Sequence, residues 1–241
     1  MEAPVSVDPI STYPHTFTYL QIESMGPLSP AEAVDICRAQ IEHDMDMSLD
    51  PATAHPSLVV SKDGKSVQYR GARQELPDNM ERFDTYIIVL GSKQFPSGKH
   101  YWEVGASTEW DLGVCRGSVS RKGQAIMLSP RNGFWRMWLR KGDQCKVLIS
   151  CPTPLPISVK PTRVGIFLDY SEGEVSFYNV TEGSHMYAYI GAFYVPLRPF
   201  FSPSRHRKGE KADPSSICPV IKQDTTRSKE TRDKTQKVFR H

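Results

Sequence analysis

The chain has 241 residues, 39% hydrophobic and 24% charged, with a net charge of +3. This is a globular composition, long enough for a core held by packing alone, and it excludes a low-complexity or collagen-like chain. Five cysteines (Cys37, Cys115, Cys145, Cys151, Cys218) form neither an even framework nor a CxxC pair. They read as free thiols in a reducing, cytoplasmic setting, with a Cys145–Cys151 bridge left open.

In chain order, Met1-Glu2-Ala3-Pro4 places an acid and a proline where a signal peptide needs a basic and then an apolar run. Residues 1–28 read as a linker-like segment in which 17–22 could form a strand. Ser29-Pro30-Ala31-Glu32 has the features of a helix start, and Val34, Cys37 and Ile41 continue at helical spacing. A short amphipathic helix over 29–43 is expected to cover an edge or face of the sheets.

Beyond it the hydrophobic period shortens. Strands are expected at 57–61 and 66–69, joined through an Asp63-Gly64 turn, and then at 86–90, 100–104, 111–115, 125–128, 134–139, 145–149, 163–169, 174–178 and 186–190. Residues 86–90 make the longest apolar stretch, far too short to cross a bilayer. Residues 197–201 close the domain, and 217–220 return as a last edge strand, where prolines limit pairing. Gly 16 and Pro 19 supply the turns between them. The fold class is therefore all-β, an antiparallel sandwich with a short N-terminal helix. From Arg205 onward the charge balance is +6 and the body before it is −3. Residues 221–241 thus read as a basic, solvated, disordered tail without a nucleic-acid module.

Four segments carry a family resemblance. They are Leu49-Asp50-Pro51-Ala52-Thr53-Ala54-His55-Pro56, Leu76-Pro77-Asp78-Asn79 with Glu81-Arg82-Phe83-Asp84, Phe95-Pro96-Ser97-Gly98-Lys99-His100-Tyr101-Trp102-Glu103-Val104, and Gly165-Ile166-Phe167-Leu168-Asp169-Tyr170 followed by Gly173-Glu174-Val175-Ser176-Phe177-Tyr178-Asn179. In this order and spacing the chain resembles B30.2 domains, a PRY segment (here about 29–95) followed by a SPRY core (about 96–220). It looks most like the intracellular domain of butyrophilins and next most like tripartite-motif proteins. The resemblance implies a protein-recognition module, with immune regulation as a role within the family, and leaves open an isolated domain, a truncated product, a solo member or one tethered through a longer parent. The RING and B-box cysteine–histidine array of the ligases is not in this sequence, so ligase activity does not transfer with the fold.

Such modules bind partners through loops at one end of the sandwich, here 62–65, 71–75, 107–110, 130–135, 141–144 and 199–205. Trp110, Asp111, Arg131, Phe134, Trp135, Arg140 and Lys146 are the candidate partner-binding residues, chosen for aromatic and arginine character. Alternation places Phe134, Arg136 and Trp138 on one side of a strand and Trp135 and Met137 on the other, so both sets cannot line one surface. Trp110 and Trp135 are the candidates for exposed anchors. The alternative function is sensing of a small anionic ligand, because some butyrophilins hold phosphorylated prenyl metabolites in a basic pocket. Here Asp111 stands where that pocket uses a histidine and Ser202 where a base is expected, while Lys146 remains. No cofactor, metal spacing around the histidines, nucleophile elbow or phosphate loop is legible, so a catalytic function is not expected.

Overall fold

The computed structural model describes residues 34, 35, 38, 47–77, 79–105, 109–123, 125–140, 144–203 and 215–220. Among the described residues, fourteen strands form two seven-stranded antiparallel sheets. The first contains, in spatial order, β1 (Leu49–Asp50), β4 (Val89–Gly91), β13 (Leu197–Pro203), β6 (Trp110–Arg116), β7 (Phe134–Arg140), β8 (Gln144–Leu148) and β9 (Pro152–Pro154). The second runs β12 (Ser184–Ile190), β11 (Glu174–Asn179), β10 (Arg163–Asp169), β5 (Lys99–Gly105), β14 (Ser215–Cys218), β3 (Ser66–Tyr69) and β2 (Leu58–Val60).

The core lies between the sheets. Alternate residues of β6 (Trp110, Leu112, Val114) and β7 (Trp135, Met137, Leu139) point into it and meet Trp102, Val104, Ile166, Leu168 and Phe177 from the second sheet. Burying each such side chain contributes roughly 1.5–3 kcal/mol. The Tyr189 hydroxyl ties the layers together by accepting from the Leu148 N–H at 3.0 Å and donating to the Arg136 carbonyl at 2.8 Å. Gly113 is required where β6 crosses β7, since a Cβ there would collide with the Trp135 carbonyl.

Both sheets also bury part of their outer faces. On the first, Phe134 and Phe200 pack edge to face at 5.8 Å under Phe83, Ile88, Val119 and Leu128. On the second, Tyr101, Phe167 and Tyr178 are covered by Val34. Tyr101 and Trp102 face opposite sides, as strand alternation requires, and Tyr101 donates to Glu103 on its own face at 2.8 Å. Glu103 is fully buried and takes Arg38 Nη2 at 2.6 Å and Arg38 Nε at 2.9 Å, while Arg163 pairs with its other oxygen.

Several expectations need correction. Of the helix expected over 29–43, Val34, Asp35 and Arg38 are described and helical; the others lie outside the described residues, as do the strand at 17–22 and the tail at 221–241. The returning strand is not at an edge. Residues Ser215–Cys218 sit between β3 and β5, and Pro219 falls just after the last paired residue, where it blocks nothing. The strand at 86–90 starts late, at Val89, because the Ile88 carbonyl accepts from His55 and the Ile88 N–H donates to the Tyr86 carbonyl. Residues 125–128 form no strand. β1 and the proline-rich edge strand β9 went unforeseen, being two and three residues long. Cys145 is buried and Cys151 exposed, and both are free, so the bridge is not formed. Burial pushes the Cys115 and Cys145 thiols up to about 12. Cys37 lies outside the described residues.

Two outcomes test these contacts. Glu103→Ala strands two guanidinium groups at a buried position and lowers stability by about 3 kcal/mol in urea unfolding. Burial alone would raise the pKa of Asp169, but the Lys99 ammonium at 2.8 Å and the N–H groups of Ser171 and Glu172 hold it below the usual aspartate range. Its stabilising effect is complete above the unfolded value and is lost as pH falls through the depressed one. Asp169→Asn therefore flattens the acid limb of the stability profile below about pH 4.

Candidate functional site

Where β6 and β7 point Trp110, Leu112, Trp135 and Met137 inward, the same alternation lifts Asp111, Arg136 and Arg140 onto the outer face of the first sheet. These three form the base of a cleft of about 520 Å³. Its walls come from Ser202 and Pro203 at the end of β13, from Glu109, from residues 86–88 ahead of β4, and from 126–128.

Asp111 is buried between two cations on the neighbouring strand. Arg136 Nη1 lies 2.7 Å from Oδ2 and Arg140 Nη2 lies 3.1 Å from Oδ1. Arg136 is fixed further by donation from Nε to the Leu128 carbonyl at 2.9 Å and by stacking 4.3 Å above the Trp138 ring. Arg140 Nη1 donates to the carbonyls of Trp110 and Leu139 at 3.1 and 2.9 Å, yet its side chain stays 46% exposed. The rim is apolar: Tyr86 donates its hydroxyl to the Ile126 carbonyl, and Ile126 and Met127 are exposed, Met127 at 62%. Residues 125–128 bond back to Tyr86 and Arg136 instead of joining a sheet, and this leaves the side chains of Ile126 and Met127 at the mouth while Leu128 is buried.

The structure brings together two of the candidate residues, Asp111 and Arg140. Lys146 lies one strand further on, half-buried and opposite Trp138. Arg131 is exposed on a short 3-10 turn (Pro130–Asn132) ahead of β7, toward the other end of that strand. Trp110 and Trp135 are not exposed anchors. Both point between the sheets and are buried in the core. Phe134 is buried on the outer face against Phe200. Arg136, Glu109, Tyr86, Ile126 and Met127 were not among the candidates. Alternation had already placed Arg136 beside Trp138, and that signal was sufficient to find it. The rim residues were hidden by the strand expected at 125–128. Among the described residues, no group of three or more His, Cys, Asp or Glu side chains is placed to hold a metal ion.

Comparison with known proteins agrees with this architecture. The SPRY domain matches residues 99–214 and the SPRY-associated domain, PRY, matches 47–95; neither segment carries a catalytic motif. The mouse E3 ubiquitin-protein ligase TRIM58 is 48% identical over 180 residues, 71% of this chain and 37% of that protein. Bovine butyrophilin subfamily 1 member A1 is 48% identical over 181 residues, 74% of this chain and 33% of that protein. The human zinc finger protein RFP is 46% identical over 195 residues, 80% of this chain and 38% of that protein. The chain thus spans about a third of the length of the curated relatives it matches. Among solved structures, the TRIM65 PSpry domain superposes with a TM-score of 0.60 at 22% identity, covering 76% of this chain and 95% of that one. Stonustoxin gives 0.63 at 23% identity, over 72% of this chain and 28% of that one, and at these identities both likenesses show the fold alone. The chain belongs to the SPRY/PRY family, homologous to the B30.2 domains of tripartite-motif and butyrophilin-type proteins.

Proposed function

We propose that this domain recognises a segment of a partner protein in the cleft over β6 and β7. Protein–protein interaction is the general role of SPRY/PRY domains, and the make-up of the cleft supports that role for this surface. One observation carries the reading: the cleft has an exposed apolar rim, Ile126 and Met127, above a base whose two guanidinium groups are already engaged by a carboxylate. A peptide suits such a surface. An apolar side chain covers Met127 and Tyr86, while Arg140, the exposed member of the base, orients it by donating to a main-chain carbonyl.

Sensing of a small anion is the second reading, favoured by the convergence of Arg136 and Arg140 on one cleft. It is the weaker one, because a diphosphate would have to displace Asp111 from both guanidinium groups and sit beside Glu109. The free thiols at Cys115, Cys145, Cys151 and Cys218 fit a reducing, cytoplasmic setting for either reading. Among the described residues, no helix is long and apolar enough to cross a membrane.

A bound peptide, selected from a random library on the intact chain and mapped to β6–β7 by amide shifts, tests the first reading. Met127→Asp, at an exposed position, is expected to weaken it about tenfold or more with an unchanged melting temperature. Full affinity in that variant would move recognition off the cleft. Titration calorimetry with inorganic diphosphate is expected to give no binding heat with the natural chain; saturable binding lost in Arg140→Ala would favour the anion reading.

A further inference from the structure

We infer a second recognition surface, at the opposite end of β7 from Arg140, built for an acidic segment of a partner protein. It begins from the aromatic side chains that the core leaves at its rim. Trp135, buried in the core, meets Phe193 edge to face at 5.0 Å, and Phe193 meets Tyr170 at 5.6 Å. The chain after β12 is pinned on this cluster: Tyr170 Oη donates to the Val195 carbonyl at 3.2 Å and Gly117 N–H donates to the Pro196 carbonyl at 2.8 Å. Between these fixed points Tyr194 projects outward, 88% exposed, the highest exposure among the large apolar side chains described. An aromatic side chain held on a braced loop loses little conformational freedom on binding, which favours its use as an anchor.

Two arginines lie at the same end of the strand pair, Arg116 next to Gly117, whose N–H holds the Pro196 carbonyl. The exposed Arg116, at the end of β6, carries its guanidinium 5.9 Å from the Trp135 ring. Gly133, in the left-handed conformation at φ +83°, closes the 3-10 turn directly against the Arg116 side chain, and Arg131 is exposed on that turn. Neither Arg116 nor Arg131 forms an ion pair with a carboxylate among the described residues, in contrast to Arg136 and Arg140. Of the acids near this end, Asp169 is taken by Lys99 at 2.8 Å, with Glu172 and Glu174 close to the same ammonium, and Glu81 is taken by Arg121 at 2.9 Å. Exposed guanidinium groups without a carboxylate, at the same end as an exposed tyrosine, complement an acidic chain: carboxylates accept bidentate bonds from Arg116 and Arg131 while an apolar residue covers Tyr194.

Selection of random twelve-residue peptides by display on the intact chain, with counter-selection on the folded double variant Arg116→Glu, Arg131→Glu, tests this surface. The expected peptides are enriched in Asp and Glu around an apolar residue. As synthetic peptides they bind the natural chain in a salt-dependent manner and bind Tyr194→Ser, a change at an almost fully exposed position, about tenfold or more weakly. Met127→Asp, in the cleft, leaves them unaffected. Lack of enrichment, absence of an acidic bias, or equal affinity for Tyr194→Ser overturns the inference. Loss on Met127→Asp alone assigns the peptides to the cleft and likewise overturns it, without touching the reading of the cleft itself.

Discussion

The Asp111 carboxylate, buried between Arg136 and Arg140, determines what the outer face of the first sheet can be. Two guanidinium groups on one strand, both directed to the same side, would repel each other and leave an electropositive cleft. A carboxylate at the facing position of β6 converts them into a matched cluster, with Arg136 held between Asp111, the Leu128 carbonyl and the Trp138 ring. The base becomes rigid, its formal charge falls from +2 to +1, and Glu109 at the wall brings the cleft to zero. Recognition then depends on shape and on the apolar rim rather than on attraction of a free anion.

The cluster in turn depends on burial of both faces of β6 and β7. Trp110 and Trp135 enter the core on one side, and Phe134 enters a smaller cluster on the other. Strands anchored this way cannot rotate or slip by one residue without exposing tryptophan and burying an arginine, so the register that places Asp111 opposite Trp138 is strongly specified. The second sheet follows the same logic with Glu103, whose buried carboxylate gathers Arg163 from the adjacent strand and Arg38 from ahead of the PRY segment. In both sheets a buried acid fixes basic side chains contributed by more than one segment or position, and this orders surface that hydrophobic burial alone would leave loose.

The strands with clear alternation were legible in the sequence, β5, β6, β7, β10 and β11 among them, and so was the sandwich they form. Short pairings were not. β1 has two residues, β9 carries prolines at both ends, and β14 gains its central place from partners more than a hundred residues away. The site was half legible for a related reason. Alternation separates Trp135 from Arg136 but does not say which face is the core, and both faces of β7 carry large aromatic side chains, so the inward course of Trp110 and Trp135 was not legible from residue type. The Met127 rim was masked by propensity: Ala125–Leu128 has a strand's composition, yet Tyr86 and Arg136 capture its carbonyls from the side.

Opposite ends of one rigid strand pair therefore present different chemistry. At the Arg140 end the cations are neutralised and the apolar rim is exposed; at the Arg116 end the cations are exposed and the aromatic cluster is largely covered, apart from Tyr194. The two ends share β6 and β7 but no side chain, and the strand pair between them is packed on both faces. Met127 and Tyr194 are both exposed, share no contact partner and sit at opposite ends of the strand pair, so a change at one leaves recognition at the other intact.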